Sequence, residues 1–265
     1  MAHNRIGLNL VTLKGGQEAG RLLENLDRAR DAGFDGVGLW VQTLKDWVAQ
    51  GRAMDALARE VEARKLRVDE ICYVTVPDSS QNLDEQKCVF QWAKELEAGC
   101  VISIYSKPQN PLEQARRDWQ RFVREVEEFG VPAAFEFIGS WAQYNSPVTA
   151  LSIVEGTELG KIVLDTFHFW RGGCDLTEIP RVPANRVGLV HLNDVNNVPR
   201  QEARDSDRTY PGEGIMPLAD ICGGLIRNGY AGPFSVEIFG KVREDDPDQV
   251  CRHAYRAAAQ LIGKL

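Results

Sequence analysis

The sequence predicts a (β/α)8 barrel. Three observations carry that prediction. A unit of short apolar strand, turn and amphipathic helix recurs eight times. The chain has 265 residues, a natural length for that architecture. No Pro/Ser-rich linker divides it, so one domain over residues 1–265 is expected. A hydrophobic content of 43% and a charged content of 26% are those of an ordinary globular chain.

The units follow one another in order. RIGLNLVT (5–12) reads as the first strand, with a helix that stops at DAGF (31–34). GVGLWV (36–41) precedes AMDALAREVEARK (53–65), whose apolar residues recur at helical spacing. RVDEICYVT (67–75) precedes LDEQKCVFQWAKELEAG (83–99), and CVISIYS (100–106) precedes a helix over 112–129. AAFEFIG (133–139) leads to PVTALSIVEG (147–156), and KIVLDTFHF (161–169) to a short DLTEI segment (175–179). RVGLVHLND (186–194) is followed by a long polar loop and PLADICGGLIRNG (217–229). GPFSVEIF (232–239) precedes the last helix, from Asp246 onward. Each strand is largely apolar, as strands covered on both faces must be. Glycines in DAGF, EAGC, EFGV and RNGYAG are helix-stop signals. A doubly wound sheet is the competing fold, but it calls for a Gly-rich phosphate turn after the first strand, and LKGGQEAG (13–20) is a poor match.

Composition excludes several functions. The formal net charge is −7 and no long basic run occurs, which argues against nucleic-acid or anionic-membrane binding. No apolar run reaches the roughly 20 residues that span a bilayer. The N-terminus has only a short apolar stretch without a small-residue cleavage pattern. The six cysteines are scattered with no CxxC pair, the usage expected of reduced thiols in a cytoplasmic protein.

Polar residues inside apolar strands are the functional signal. Side chains alternate along a strand. In AAFEFIG, Phe135 and Phe137 suit the helix layer, so Ala134, Glu136 and Ile138 face inward. In GPFSVEIF, Ser235, Glu237 and Phe239 face inward. His191 and Asn193 share a face with Leu189, and Asp165 shares one with Val163 and Phe167. Strands five to eight thus each place one metal-competent group inward near the C-terminal end: Glu136, Asp165, His191 and Glu237. Any one alone would be an ordinary strand-end residue bonded to a loop. Four on consecutive strands argue for a divalent cation, which offsets both the burial cost and the mutual repulsion of three carboxylates. Three oxygen ligands and one imidazole suit Mn²⁺ best, with Mg²⁺, Co²⁺ or Zn²⁺ as alternatives. For His168 the spacing leaves two placements open, over the mouth or packed beneath the helices. Arg208 lies in the long loop 195–214 ahead of a Pro-Gly-Glu-Gly turn, where it would steady a substrate oxygen. Asp194 is expected to pair with Arg208 or to support His191. Trp40, with Trp141 and Trp170, offers a ring to stack on substrate or simply to pack at the rim. Cys174 reads as an inert thiol.

FEFIG, VLDTFHF, VHLND, DRTYPGEG and SVEIF, in that order and spacing over residues 130–240, resemble the xylose-isomerase-like TIM-barrel superfamily of sugar isomerases and epimerases, and within it the inosose isomerases most. The resemblance implies that Glu136, Asp165, His191 and Glu237 bind a divalent metal, that the two glutamates act as acid and base, and that His168 and Arg208 contact substrate. The N-terminal half departs from the pattern. Inosose isomerases tend to carry Glu and Arg on strand two, where this chain has Gly38 and Trp40, and an acidic residue on strand one, where it has Leu10. The expected activity is therefore isomerisation or epimerisation of an unphosphorylated keto-polyol, an inosose or ketose, by proton transfer through an enediolate. A lyase of the same superfamily is the first alternative: a dehydratase, or a C-glycoside-cleaving subunit acting on 3-keto sugars. A non-catalytic sugar-binding module is the second. The expected partner is a small sugar or cyclitol; a homo-oligomer is compatible with the sequence and not specified by it.

Overall fold

The structure is a computed structural model that describes residues 4–78 and 81–265; residues 1–3 and 79–80 of the expected 1–265 span lie outside it. The eight barrel strands are β1 (Ile6–Asn9), β2 (Gly36–Trp40), β3 (Arg67–Val76), β4 (Val101–Tyr105), β5 (Ala133–Glu136), β6 (Gly160–Asp165), β7 (Val187–Leu192) and β8 (Phe234–Val236). They pair in parallel and close in the order β1-β8-β7-β6-β5-β4-β3-β2. The helices are α1 (Leu22–Ala32), α2 (Val41–Ala49), α3 (Met54–Ala63), α4 (Asp84–Glu95), α5 (Leu112–Val126), α6 (Pro147–Val154), α7 (Thr166–Arg171), α8 (Leu218–Arg227) and α9 (Pro247–Ile262). The predicted (β/α)8 barrel is the observed fold.

Sequence dictates these elements locally. In α5 the buried residues Ala115, Trp119, Phe122, Val123 and Val126 recur every three or four positions and form one apolar face. Helix α1 stops at Gly33, whose φ of 101° is the left-handed cap that glycine adopts without penalty. Helix α6 starts at Ser146, whose hydroxyl accepts the Thr149 N–H at 3.3 Å, with Pro147 in the first turn.

The molecule has two apolar layers. The larger lies between strands and helices and includes Leu8, Val37, Phe135, Leu164, Val190 and Phe234. The smaller fills the barrel interior with Cys72, Cys100, Ile102, Ala134, Val163 and Leu189. The polar side chains of the strand C-termini sit above this floor.

Three local differences from the sequence reading bear on the site. Strand β6 ends at Asp165 rather than near Phe167 or later, because the Asp165 carboxylate caps α7 by accepting the His168 N–H at 2.9 Å. TFHFWR is therefore helix, and DLTEI falls in a 3-10 turn over Leu176–Arg181. Helix α2 is an addition that the unit count passed over. Strand β3 carries a bulge: Val37 pairs with Val68 but Gly38 with Glu70, so Asp69 is the extra residue. Asp69 and Glu70, although adjacent, both press on the glycines of β2. A Cβ added at Gly36 would lie 2.1 Å from Asp69 Oδ2, and one at Gly38 would lie 2.5 Å from Glu70 Oε1.

Candidate metal centre

Strand parity puts Glu136, Asp165 and His191 at or near the C-terminal ends of β5, β6 and β7, and Glu237 one residue beyond β8. All four are buried, Asp165 and His191 completely. Each offers one ligand atom, and these four atoms lie within 4.8 Å of one another. The contacts converge on one ring nitrogen: His191 Nδ1 is 3.1 Å from Glu136 Oε1, 3.5 Å from Glu237 Oε2 and 3.9 Å from Asp165 Oδ2. The structure thus brings together all four residues that the sequence singles out.

Charge crowding here is severe. Burial pushes the Glu237 carboxyl up to about 8, and neighbouring Glu136 and Asp165 add to it against the pull of His191 and Arg208. Burial would also raise Asp165, but Arg208, His168 and His191 outweigh it and hold that carboxyl down at about 2. His191 moves well above its usual range despite burial, because Glu237 and Glu70 favour the charged ring. Three carboxylates and an imidazole that converge in a buried site fit a divalent cation. Glu136, Asp165, His191 and Glu237 are the residues that could hold one.

Arg208 and His168 roof the same space. Arg208 is buried, with Nη1 2.9 Å from Asp165 Oδ2 and 3.1 Å from Glu237 Oε2, and Nη2 2.7 Å from Asp205 Oδ1. Its guanidinium lies over the rings of Phe167 and Phe239 at 4.7 and 5.3 Å. Of the two placements open to His168, the structure takes the mouth: α7 begins immediately after Asp165 and carries the imidazole round to line the cavity. Its Nδ1 is buried without a hydrogen-bond partner, and burial pushes its pKa down. Phe167, expected beside Asp165 on the strand, is instead on this helix.

Trp40 forms the opposite wall. Its indole N–H donates to Asn9 Oδ1 at 2.8 Å, and its ring meets Tyr73 and Phe239 edge-on at 5.8 and 6.1 Å. Together with Ile102, Ile104 and Ile138 these rings surround a cavity of ≈ 160 Å³ that reaches Glu136, His168, Arg208 and Glu237. A wider cleft of ≈ 830 Å³ under the 198–207 loop shares Ile138, His168 and Asp205 with it. Trp170 is buried under the Arg200 guanidinium at 5.3 Å and does not line that cavity. Cys174 is half-buried, and its thiol is pushed up to about 12 by burial.

Two sequence expectations are corrected. Asp194 pairs neither with Arg208 nor with His191. It accepts the backbone N–H groups of Val195, Gly212, Gly214 and Met216 at 2.8–3.0 Å and so staples the long loop. Leu10 does not face the barrel: it opens a 3-10 turn in the outer core, and Asn9 takes the inward position. Asn9 Nδ2 donates to Glu237 Oε1 and to Glu70 Oε1, each at 3.2 Å.

Glu70 is the residue that sequence reasoning missed. It is completely buried and 2.6 Å from His191 Nε2. Glu70, Cys72 and His191 also bring three donor atoms together, but the direct Glu70–His191 contact fills the space an ion would need. The available signal was the pair Asp69-Glu70 in an otherwise apolar strand. Period-two parity would have sent one of them outward, and the bulge defeats that rule.

A profile of the xylose isomerase-like TIM barrel matches residues 26–260. The inosose isomerase of Halalkalibacterium halodurans is 28% identical over a stretch that covers 59% of this chain and 59% of its own. The 3-dehydroshikimate dehydratase of Pseudomonas putida is 25% identical over 83% of this chain and 36% of its own. The chain thus spans less than two thirds of either relative. Among solved structures, the IOLI protein with a binding zinc atom shares the fold at a TM-score of 0.85, with 20% identity and 98% of each chain covered. Because the profile runs from within α1 to the last turn of α9 and takes in seven of the eight barrel strands, β2 to β8, the chain belongs to the xylose isomerase-like TIM barrel family.

Proposed function

We propose that the protein is a divalent-metal-dependent isomerase or epimerase of an unphosphorylated keto-polyol, with Glu136 and Glu237 as the acid–base pair and Mn²⁺ as the best-suited ion. The observation that carries this reading is the convergence of four buried donor groups from β5–β8 within 4.8 Å of one another. The relationship to an inosose isomerase supports the substrate class.

A bound cation would supply Lewis acidity toward a carbonyl oxygen and a template for the neighbouring hydroxyl. The remaining work falls to the chain itself. Glu136 and Glu237 come from strands on different sides of the barrel, so one can remove a proton beside the carbonyl while the other returns it. Return to the adjacent carbon gives an isomerase; return to the same carbon from the other face gives an epimerase. Arg208, fixed by Asp165 and Asp205, sets a full positive charge beside the oxygen that gains electron density. His168 would hydrogen-bond a substrate hydroxyl, a reading supported by its place in the cavity lining and by its unpartnered Nδ1. Trp40, Tyr73 and Phe239 form an apolar wall against one face of the ring and keep water from it.

Turnover of ketoses and inososes in D₂O tests this. The expected products carry carbon-bound deuterium, and Glu136→Gln and Glu237→Gln each lower kcat by about 10²–10⁴-fold. Product formed without deuterium would exclude proton transfer in favour of a hydride shift. Turnover that survives both replacements would refute the roles of the two glutamates. A second reading, a lyase, is favoured by the aromatic wall and by the dehydratase relative. An unsaturated product absorbing in the near ultraviolet would select it.

A further inference from the structure

Glu70 has a seat built for it. Its Oε1 accepts from Ser235 Oγ at 2.7 Å and from Asn9 Nδ2 at 3.2 Å. Its Oε2 meets His191 Nε2 at 2.6 Å and accepts from Cys72 Sγ at 3.2 Å. Four donors from four different strands around two oxygens describe an acceptor-only group, a carboxylate, in a position with no solvent exposure. The backbone makes room for it: any Cβ at Gly38 would strike its Oε1, and the bulge in β3 turns it inward.

The geometry points to Glu70 as the positioning residue of the metal centre: its carboxylate takes the Nε2–H of His191 and so aims the Nδ1 lone pair at the space enclosed by Glu136, Asp165 and Glu237. Nδ1 itself faces carboxylate oxygens, Glu136 Oε1 at 3.1 Å and Glu237 Oε2 at 3.5 Å, so with a cation between them only one neutral tautomer would satisfy both ends of the ring. With the proton on Nε2, the imidazole donates to Glu70 and presents a bare Nδ1 to a cation. With the proton on Nδ1, the Glu70 carboxylate would face a lone pair, acceptor against acceptor, at 2.6 Å. A metal-ligating histidine is commonly oriented by a carboxylate on its other nitrogen, which also makes the ring a stronger donor. Ser235 and Asn9 keep the carboxylate from swinging away. Asn9 extends the support to Glu237, which it contacts directly, so one small network orients two of the four ligands.

This inference rests on the metal reading above, and the test separates the two. Mn²⁺ affinity is measured by competition with a chromophoric chelator for wild type and Glu70→Gln, alongside thermal unfolding of both metal-free proteins. The expected result is a 10–100-fold weaker affinity in the variant with its metal-free melting temperature close to wild type. Equal affinity overturns the role of Glu70 and leaves the metal centre standing. Wild-type protein that binds no ion overturns the metal reading and this inference with it. Should Glu70→Gln fail to fold, Zn²⁺-loaded wild-type protein labelled with ¹⁵N-histidine decides. An Nε2-bound, strongly deshielded proton on His191 supports the assignment, and an Nδ1-bound proton overturns it.

Discussion

Asp69 shows what the bulge in β3 costs at the scale of one residue. Its carboxyl is almost fully buried, its Oδ2 has no hydrogen-bond partner, and Arg5 lies 3.6 Å from the other oxygen. Burial pushes its pKa from 3.8 to about 7, with Arg5 offsetting only part of that shift. A carboxyl whose folded pKa lies above its unfolded value favours the native state below the lower pKa, and that benefit is lost as pH rises through the higher one. Stability should therefore fall between about pH 4 and pH 7, by up to roughly 4 kcal/mol at 1.36 kcal/mol per unit. Asp69→Asn removes the titration. Its melting temperature should exceed wild type by more at pH 8 than at pH 4.5, as followed by circular dichroism. An equal difference at both pH values would show that Asp69 does not carry the effect. Most single-residue features of the centre were legible beforehand: Glu136, Asp165, His191 and Glu237 each interrupt an apolar strand with the right parity. Glu70 and Asn9 were not, since the first depends on a bulge and the second on where β1 gives way to a 3-10 turn.

At the scale of elements, the segments that follow β6 and β7 position His168 and Arg208, the two residues that roof the site. Asp165 does two jobs with two oxygens. Oδ1 caps α7, and Oδ2 accepts from Arg208 Nη1 and Asn193 Nδ2. That cap settles the placement of His168 that spacing left open, because a helix starting at Thr166 carries the imidazole back over the barrel. The loop between β7 and α8 works differently. Two residues, Asp194–Val195, pair antiparallel with Arg208–Thr209, and the Asp194 carboxylate gathers four backbone N–H groups. Asp194 thus shapes the segment that carries Arg208, while Asp165, Glu237 and Asp205 hold the guanidinium directly. Asp194→Ala would leave those donors without their acceptor at about 1–3 kcal/mol. The barrel should still fold, while kcat/KM falls at least tenfold through the loss of Arg208 order. Wild-type kcat/KM in a folded Asp194→Ala protein would show that the loop holds Arg208 without it. The sequence offered Asp194 as a partner for a side chain; the geometry of a tight Gly-rich turn made it a backbone acceptor instead.

For the whole molecule, the repeat of eight units was legible because each barrel strand is apolar on both faces and each helix on one. The outer apolar layer follows from that pattern directly. The extra helix α2 was not, since VQTLKDWVA follows β2 with no breaker between them, although Gly51, at a φ of 76°, separates it from α3. The barrel interior departs most from an apolar filling. Its first half replaces side chains with Gly7, Gly36 and Gly38, and the carboxylates of Asp69 and Glu70 occupy the room so gained. Its second half supplies the converging carboxylates and imidazole. The N-terminal strands thus brace and wall the site through Asn9, Trp40 and Glu70, and the strands β5 to β8 bring Glu136, Asp165, His191 and Glu237 together. The most direct measurement is metal content. Chelator-stripped protein, offered Mn²⁺, Mg²⁺, Co²⁺ and Zn²⁺ in turn and freed of unbound ion, should retain one equivalent per chain of at least one of them, Mn²⁺ first, with Asp165→Asn retaining far less. Protein that retains none of the four ions would contradict the account.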